Sequence, residues 1–145
     1  MKKLLMTLMA AMLPLLAFAG DWIEMYSQDG KTYYIYSAVE DEHNDHLAWI
    51  KTTYDTPESR KAAAEEREQD QLVFETRILI AFNLTWSKEK GKVVITYGEK
   101  GKVLSDTDID NYTDWGYITP GSAVEAWRDA ARMIYNKTNE RSSKK

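Results

Sequence analysis

The chain has 145 residues, with 19 basic against 23 acidic side chains and no cysteine. A formal charge of −4 argues against nucleic acid and anionic lipid surfaces as partners, and the missing cysteines rule out disulfides and a lipid-attachment thiol. Five tryptophans and nine tyrosines are many for this length, and they read as aromatic stabilisation of a small exported domain.

Lys2 and Lys3 precede an apolar run from Leu4 to Phe18 that only Thr7 and Pro14 interrupt. Ala17-Phe18-Ala19 has the small-x-small form of a signal-peptidase site. Residues 1–19 are therefore expected to be a secretory signal peptide, with the mature chain starting at Gly20. The run is short for a membrane span, and a polar segment follows at once. The short Lys-Lys start points to a bacterial source. The expected location is the periplasm or the exterior, without a lipid anchor and without a membrane span in the mature chain. Removing residues 1–19 leaves 126 residues, 17 of them basic and 23 acidic, a net charge of −6. That length suits one domain, over residues 20–136, that buries about two-thirds of its unfolded surface. Residues 137–145 read as a polar, frayed tail. The sequons at Asn83, Asn111 and Asn136 matter only in a eukaryotic source.

Trp22 to Ser27 reads as a first strand. Asp29-Gly30 is a two-residue hairpin signal, because both central positions of a type I′ turn need φ > 0. Lys31 to Ser37 returns as a second strand rich in tyrosine. Glu40 to His46 reads as a charged loop, and Leu47 to Tyr54 as a third strand. Thr56-Pro57-Glu58 supplies an N-cap, a proline at the first helical position and an acidic first turn. Arg60 to Gln71 has good helix formers but no apolar stripe, so a helix over 57–71 would have few core contacts. Leu72 to Trp86 alternates and reads as one long strand, with Leu72, Phe74, Ile78, Ile80, Phe82, Leu84 and Trp86 on one face. Lys88 to Gly91 reads as a turn and Lys92 to Tyr97 as a strand. A turn at Gly98–Gly101 then leads into Lys102 to Ser105. Asp106 to Asp114 reads as an acidic loop.

Pro120-Gly121 ends the extended chain, and Ser122-x-x-Glu125 has the form of a reciprocal capping box. From Ala123 to Tyr135 the apolar residues fill an arc of roughly 200°, with Arg128, Arg132, Glu125 and Asp129 sharing the remainder. Trp127 and Ile134 lie near the middle of that arc. Trp127→Ala is therefore expected to be costly, and Arg128→Ala cheap. The fold class is α+β: a single antiparallel β-sheet of five or six strands with a long C-terminal helix packed on one face.

Trp22 in the first strand, Tyr33-Tyr34 in the second, Trp49 followed by Tyr54 in the third, Tyr97-x-x-x-Gly101, and Ile118-x-Pro120-Gly121-Ser122-x-x-Glu125 together resemble the surface-adhesin protein E-like domain family. The likeness covers most of residues 22–136. It implies a small exported antiparallel sheet with a C-terminal helix. It also implies, from the founding member, a dimeric surface protein that binds host matrix and plasma proteins. That family commonly ties a sheet strand to the last helix through a cysteine pair, which this chain lacks; Phe82 and Tyr135 are apolar residues in the corresponding regions.

Asp106, Asp108 and Asp110 have the alternate spacing of a calcium loop. Asn111 stands where the glycine is needed and Tyr117 where the bidentate glutamate is needed, so this is not an EF-hand. A solvated acidic loop is the reading, with an irregular calcium site as the alternative. His43-x-x-His46 could ligate zinc or nickel but lacks a third ligand. No cysteine nucleophile, G-x-S-x-G or glycine-rich phosphate loop is present, and Ser122 reads as a helix cap. The chain is thus expected to be non-catalytic and to carry no cofactor. Its expected role is an exported binding module of the cell envelope. The alternatives are an envelope assembly protein acting by self-association and a metal-dependent hydrolase.

Alternation sends Tyr34 and Tyr36 to the face opposite Tyr33 and Ile35, and Val73, Leu79 and Ala81 away from the main apolar face. One helix covers one face. Part of the second face is therefore expected to stay apolar and exposed. Tyr34 and Tyr36 would be its contact residues for an unidentified protein partner or a second copy in a homodimer. The competing arrangement has the 60–71 segment, through Ala62-Ala63-Ala64, folding back over that face.

Overall fold

The structure, a computed structural model, describes residues 22–40 and 45–143. The expected signal peptide and His43 lie outside the described residues. The strands are β1 (Ile23–Gln28), β2 (Lys31–Glu40), β3 (His46–Tyr54), β4 (Glu75–Phe82), β5 (Lys88–Tyr97), β6 (Val103–Asp108) and the two-residue β7 (Gly116–Tyr117). The helices are α1 (Pro57–Glu66) and α2 (Ala123–Ser143). Strands β1 to β6 lie side by side in chain order, all antiparallel, and β7 pairs with the start of β5. This is the expected α+β sheet with its C-terminal helix.

Short turns account for the meander. Asp29 (φ 53°) and Gly30 (φ 73°) make the β1–β2 hairpin with both central residues left-handed. A Cβ at Gly30 would stand 2.8 Å from the Thr56 hydroxyl oxygen, so glycine is needed there for space as well. Thr56 caps α1 reciprocally with Ser59: the Ser59 N–H donates to Thr56 Oγ1 at 3.1 Å, and the Thr56 N–H donates to Ser59 Oγ at 3.2 Å. The helix stops at Glu66, short of Gln71, and Glu68 takes a left-handed φ of 53°.

The long strand read over 72–86 is shorter than its alternation suggested. Val73 is fully buried and Leu72 is 46% exposed, the reverse of the expected facing. The cause is α1: the Val73 N–H donates to Arg60 O, and Val73 packs with Tyr54, Ala63 and Ala64. At the other end the Asn83 carboxamide oxygen accepts from the N–H groups of Ser87 and Lys88, at 2.8 and 2.9 Å. That closes a turn at 83–87, so β5 begins at Lys88, where a turn was expected. Leu84 is left 62% exposed. Trp86 nevertheless turns inward at φ 62° and is buried.

The core lies on one face of the sheet. Ile35, Ala48, Ile50, Ile80 and Phe82 meet Ala130, Ala131 and Ile134 of α2, with Trp127 and Tyr135 half-buried beside them. Phe82 and Tyr135 both pack on the Trp86 ring, at 5.8 and 5.9 Å. The helix continues to Ser143, so most of the segment read as a tail is helical. The capping box is half formed. The Glu125 N–H donates to Ser122 Oγ at 3.3 Å, but Glu125 Oε1 accepts from Gly121 N–H, one residue earlier than expected. Arg128 is no free surface residue: its guanidinium donates to Trp86 O at 2.9 Å and pairs with Asp129.

Candidate binding face

Tyr54 shares a face of β3 with Ile50 and Ala48, the face that α2 covers, and α1 packs on Tyr54. Both helices therefore lie on one side, and the 60–71 segment does not cover the other. Among the described residues, that second face is open.

Strand register builds its surface. Tyr34 stands opposite Lys51 and Tyr36 opposite Trp49 across β2–β3. Lys51 stands opposite Arg77 and Trp49 opposite Leu79 across β3–β4. Arg77 stands opposite Ile95 across β4–β5. Trp22, just ahead of β1, lies across this surface with its ring 5.3 Å from that of Tyr36. The Lys51 ammonium sits 4.6 Å from the Trp22 ring centre and 4.5 Å from that of Tyr34. The Arg77 guanidinium sits 5.2 Å from Trp22 and 4.9 Å from Tyr97. Such contacts hold cations on aromatic faces and reduce their hydration.

Trp22, Tyr36, Trp49, Arg77 and Ile95 line an open cleft of about 240 Å³. A second hollow of about 320 Å³, walled by Phe74, Glu75, Tyr97 and Lys100, shares Arg77 with it. The Arg77 Nε–H donates to Glu75 Oε2 at 2.6 Å. Burial lowers the Lys51 pKa, with Glu75 opposing that shift and Arg77 adding to it. The aromatic side chains here are half-buried, because they pack on one another and on the two cations rather than standing clear in water.

Tyr34 and Tyr36, the residues expected to make contacts, are thus both on the open face, and Tyr36 lines the cleft. Sequence reasoning put Leu79 and Ala81 on this face, where Ala81 proves buried, took Trp22 and Trp49 only as carriers of the family resemblance, and gave Lys51 and Arg77 no site role. The Tyr36–Trp49 pairing lies next to a register shift between Tyr36 and Ala38, which alternation within either strand does not specify. The large apolar side chains that stand exposed are Leu72, Leu84, Val103, Tyr112, Trp115 and Tyr117, and Lys88 at the start of β5 lies 4.7 Å from the Tyr117 ring.

The acidic series is differently placed than expected. Asp106 and Asp108 belong to β6, and Asp110 opens a short 3₁₀ turn. Lys90 pairs with Asp110 at 3.0 Å and holds its carboxyl below the ordinary value, while Asp108 accepts from the Asp110 N–H. Among the described residues no three His, Cys, Asp or Glu side chains converge on a point that could hold a metal ion. His46, read as a loop residue, is instead the buried first residue of β3, stacked on Trp86 at 3.9 Å. The Ser122 hydroxyl accepts from the Glu125 N–H at 3.3 Å, as a cap does, and donates to Thr119 O at 2.6 Å.

No family model, curated protein or solved structure matches the chain. Among the described residues no helix is long and apolar enough to cross a membrane.

Proposed function

We propose that the protein is an exported, non-catalytic binding module of the bacterial cell envelope whose contact surface is the open face of the sheet. One observation carries this reading: the face bare of both helices holds a cleft walled by Trp22, Tyr36 and Trp49 beside two cations. Aromatic rings and arginine are the side chains that contribute most at protein contact surfaces. A sheet face meant only for solvent would carry scattered polar residues.

The test is capture of partners by the purified tagged protein from its own envelope fraction and from extracellular matrix. Tyr36→Glu and Trp49→Ala should lose the captured partner, and Arg132→Ala, exposed on the helix that covers the opposite face, should keep it. Loss with Arg132→Ala alone would move the contact surface elsewhere. Intact-mass measurement of protein from the envelope or medium checks export: the chain should begin at Gly20, and retention of residues 1–19 would refute it.

A further inference from the structure

Lys51 and Arg77 are direct register partners on one face of neighbouring strands. Like charges so placed destabilise a sheet. The pair shares one carboxylate, Glu75, and Arg77 takes it through Nε. Lys51 has no ion-pair partner, and the terminal nitrogens of Arg77 make no hydrogen bond among the described residues. Glu24, opposite Tyr34, and Asp106, opposite Ile95, share this face, but neither pairs with the two cations. Arg77 thus lines the cleft with its terminal nitrogens unengaged, and Lys51, its register partner, stands beside the cleft against the Trp22 ring.

The geometry limits what would neutralise it. Trp22 holds both cations against its ring, which orients them before any ligand arrives, and Arg77 keeps 35% of its side chain exposed to meet one. The same contacts occupy the ring faces that a cationic ligand would need. A planar guanidinium with its terminal nitrogens free matches a carboxylate. Tyr36, Trp49 and Ile95 supply apolar walls, which suit a ring. At about 240 Å³ the cleft is smaller than most sites for drug-sized molecules and fits a single ring.

We infer that this cleft binds a carboxylate carried on one ring, either an acidic sugar or an aromatic acid, with Arg77 in the cleft and Lys51 beside it holding the carboxylate and the apolar walls holding the ring. This inference rests on the open face being the binding surface. It names the chemical group that a partner presents there.

Calorimetric titration of the purified protein tests it, with glucuronate and phenylacetate as the acids and glucose and phenylacetamide as their neutral counterparts. At least one acid should saturate the protein, and its neutral counterpart should bind at least about tenfold more weakly. Whichever acid binds identifies a sugar or an aryl ring as the preferred body. Arg77→Gln and Lys51→Gln should each weaken binding about tenfold, and Arg132→Ala, on the opposite side of the sheet, should leave it unchanged. Circular dichroism establishes that the variants fold. Equal binding of acid and neutral counterpart, or unchanged binding by folded Arg77→Gln, would overturn the inference. So would failure of both acids to saturate below about 50 mM. If Tyr36→Glu still abolishes partner capture while neither acid binds, the carboxylate inference falls and the contact-surface reading stands. If the acids bind as expected while Tyr36→Glu captures the partner normally, the cleft is a ligand site and the protein-contact reading falls.

Discussion

His46 lies 9° from parallel with the Trp86 ring and meets Tyr135 edge-on at 4.5 Å. Its Nε2 is 3.4 Å from Leu84 O, a long contact, and its buried Nδ1 has no partner among the described residues. The ring thus acts through its faces more than through its nitrogens. His46→Phe keeps the stacking and removes the unpartnered nitrogen, so it should shift stability by less than about 1 kcal/mol. His46→Ala leaves a cavity beside Trp86 and should cost about 2–4 kcal/mol. Urea midpoints of the two variants decide between a packing role and a hydrogen-bonding role. Glu89 is half-buried, and the partial loss of solvent raises its carboxyl pKa. The folded protein therefore holds that proton to higher pH than the unfolded chain does. The stability this supplies is present at low pH and lost as pH rises through the window between the two values. Glu89→Gln should accordingly raise the urea midpoint at neutral pH, and the gain should vanish below the carboxylate range.

At the scale of the element, α2 docks through small residues. Ala130 and Ala131 are nearly inaccessible, which lets the helix come close to the sheet, chiefly over β2. Trp127 anchors one flank: its indole N–H donates to the Tyr26 hydroxyl at 3.2 Å, and its ring lies 6.1 Å from Tyr33. Trp127 is half-buried, so Trp127→Ala should cost about 2–4 kcal/mol, at the lower end for buried aromatic truncations. Arg128→Ala should also be felt, at about 1–2 kcal/mol, because it leaves Trp86 O without its donor. That carbonyl belongs to a bulky residue held at positive φ, so Arg128 stabilises a turn from across the molecule. Thermal denaturation of both variants checks this; an Arg128→Ala midpoint equal to wild type would show that the contact contributes nothing.

At the scale of the molecule, both helices cover one side of a sheet whose strands follow one another in chain order. The other side is stabilised by cation–ring contacts rather than by a second layer. A charge placed at Tyr36 should therefore leave the folding midpoint within about 1 kcal/mol of wild type, as for surface sites. If copies of the chain associate through this face, light scattering across a concentration series will show a mass that Tyr36→Glu returns to the monomer. Strong destabilisation by Tyr36→Glu with a strictly monomeric parent would instead make these tyrosines core residues. The outer edge of β6 carries Asp106 and Asp108, and charge of this kind discourages edge-to-edge pairing.

Local chemistry made much of the architecture legible in the sequence. Asp29-Gly30 could form only a tight turn, Thr56-Pro57 only a helix start, and the apolar arc after Ser122 only a helix docked on something broad. Alternation alone was enough to send Tyr34 and Tyr36 away from Ile35. Where β4 stops was not legible, because Asn83 closes the turn with a side chain and Trp86 bends inward at a positive φ, and neither interrupts an alternating pattern. Nor was the facing of Val73 over Leu72, since it depends on α1 arriving from elsewhere in the chain. The cleft was the least legible feature of all. Lys51 and Arg77 are ordinary charged residues in sequence, and they become a cation pair on an aromatic wall only when β2, β3 and β4 are aligned and Trp22 lies across them. Side-chain pairing between strands is set by register, which no single strand contains, so tertiary structure alone could bring that site together.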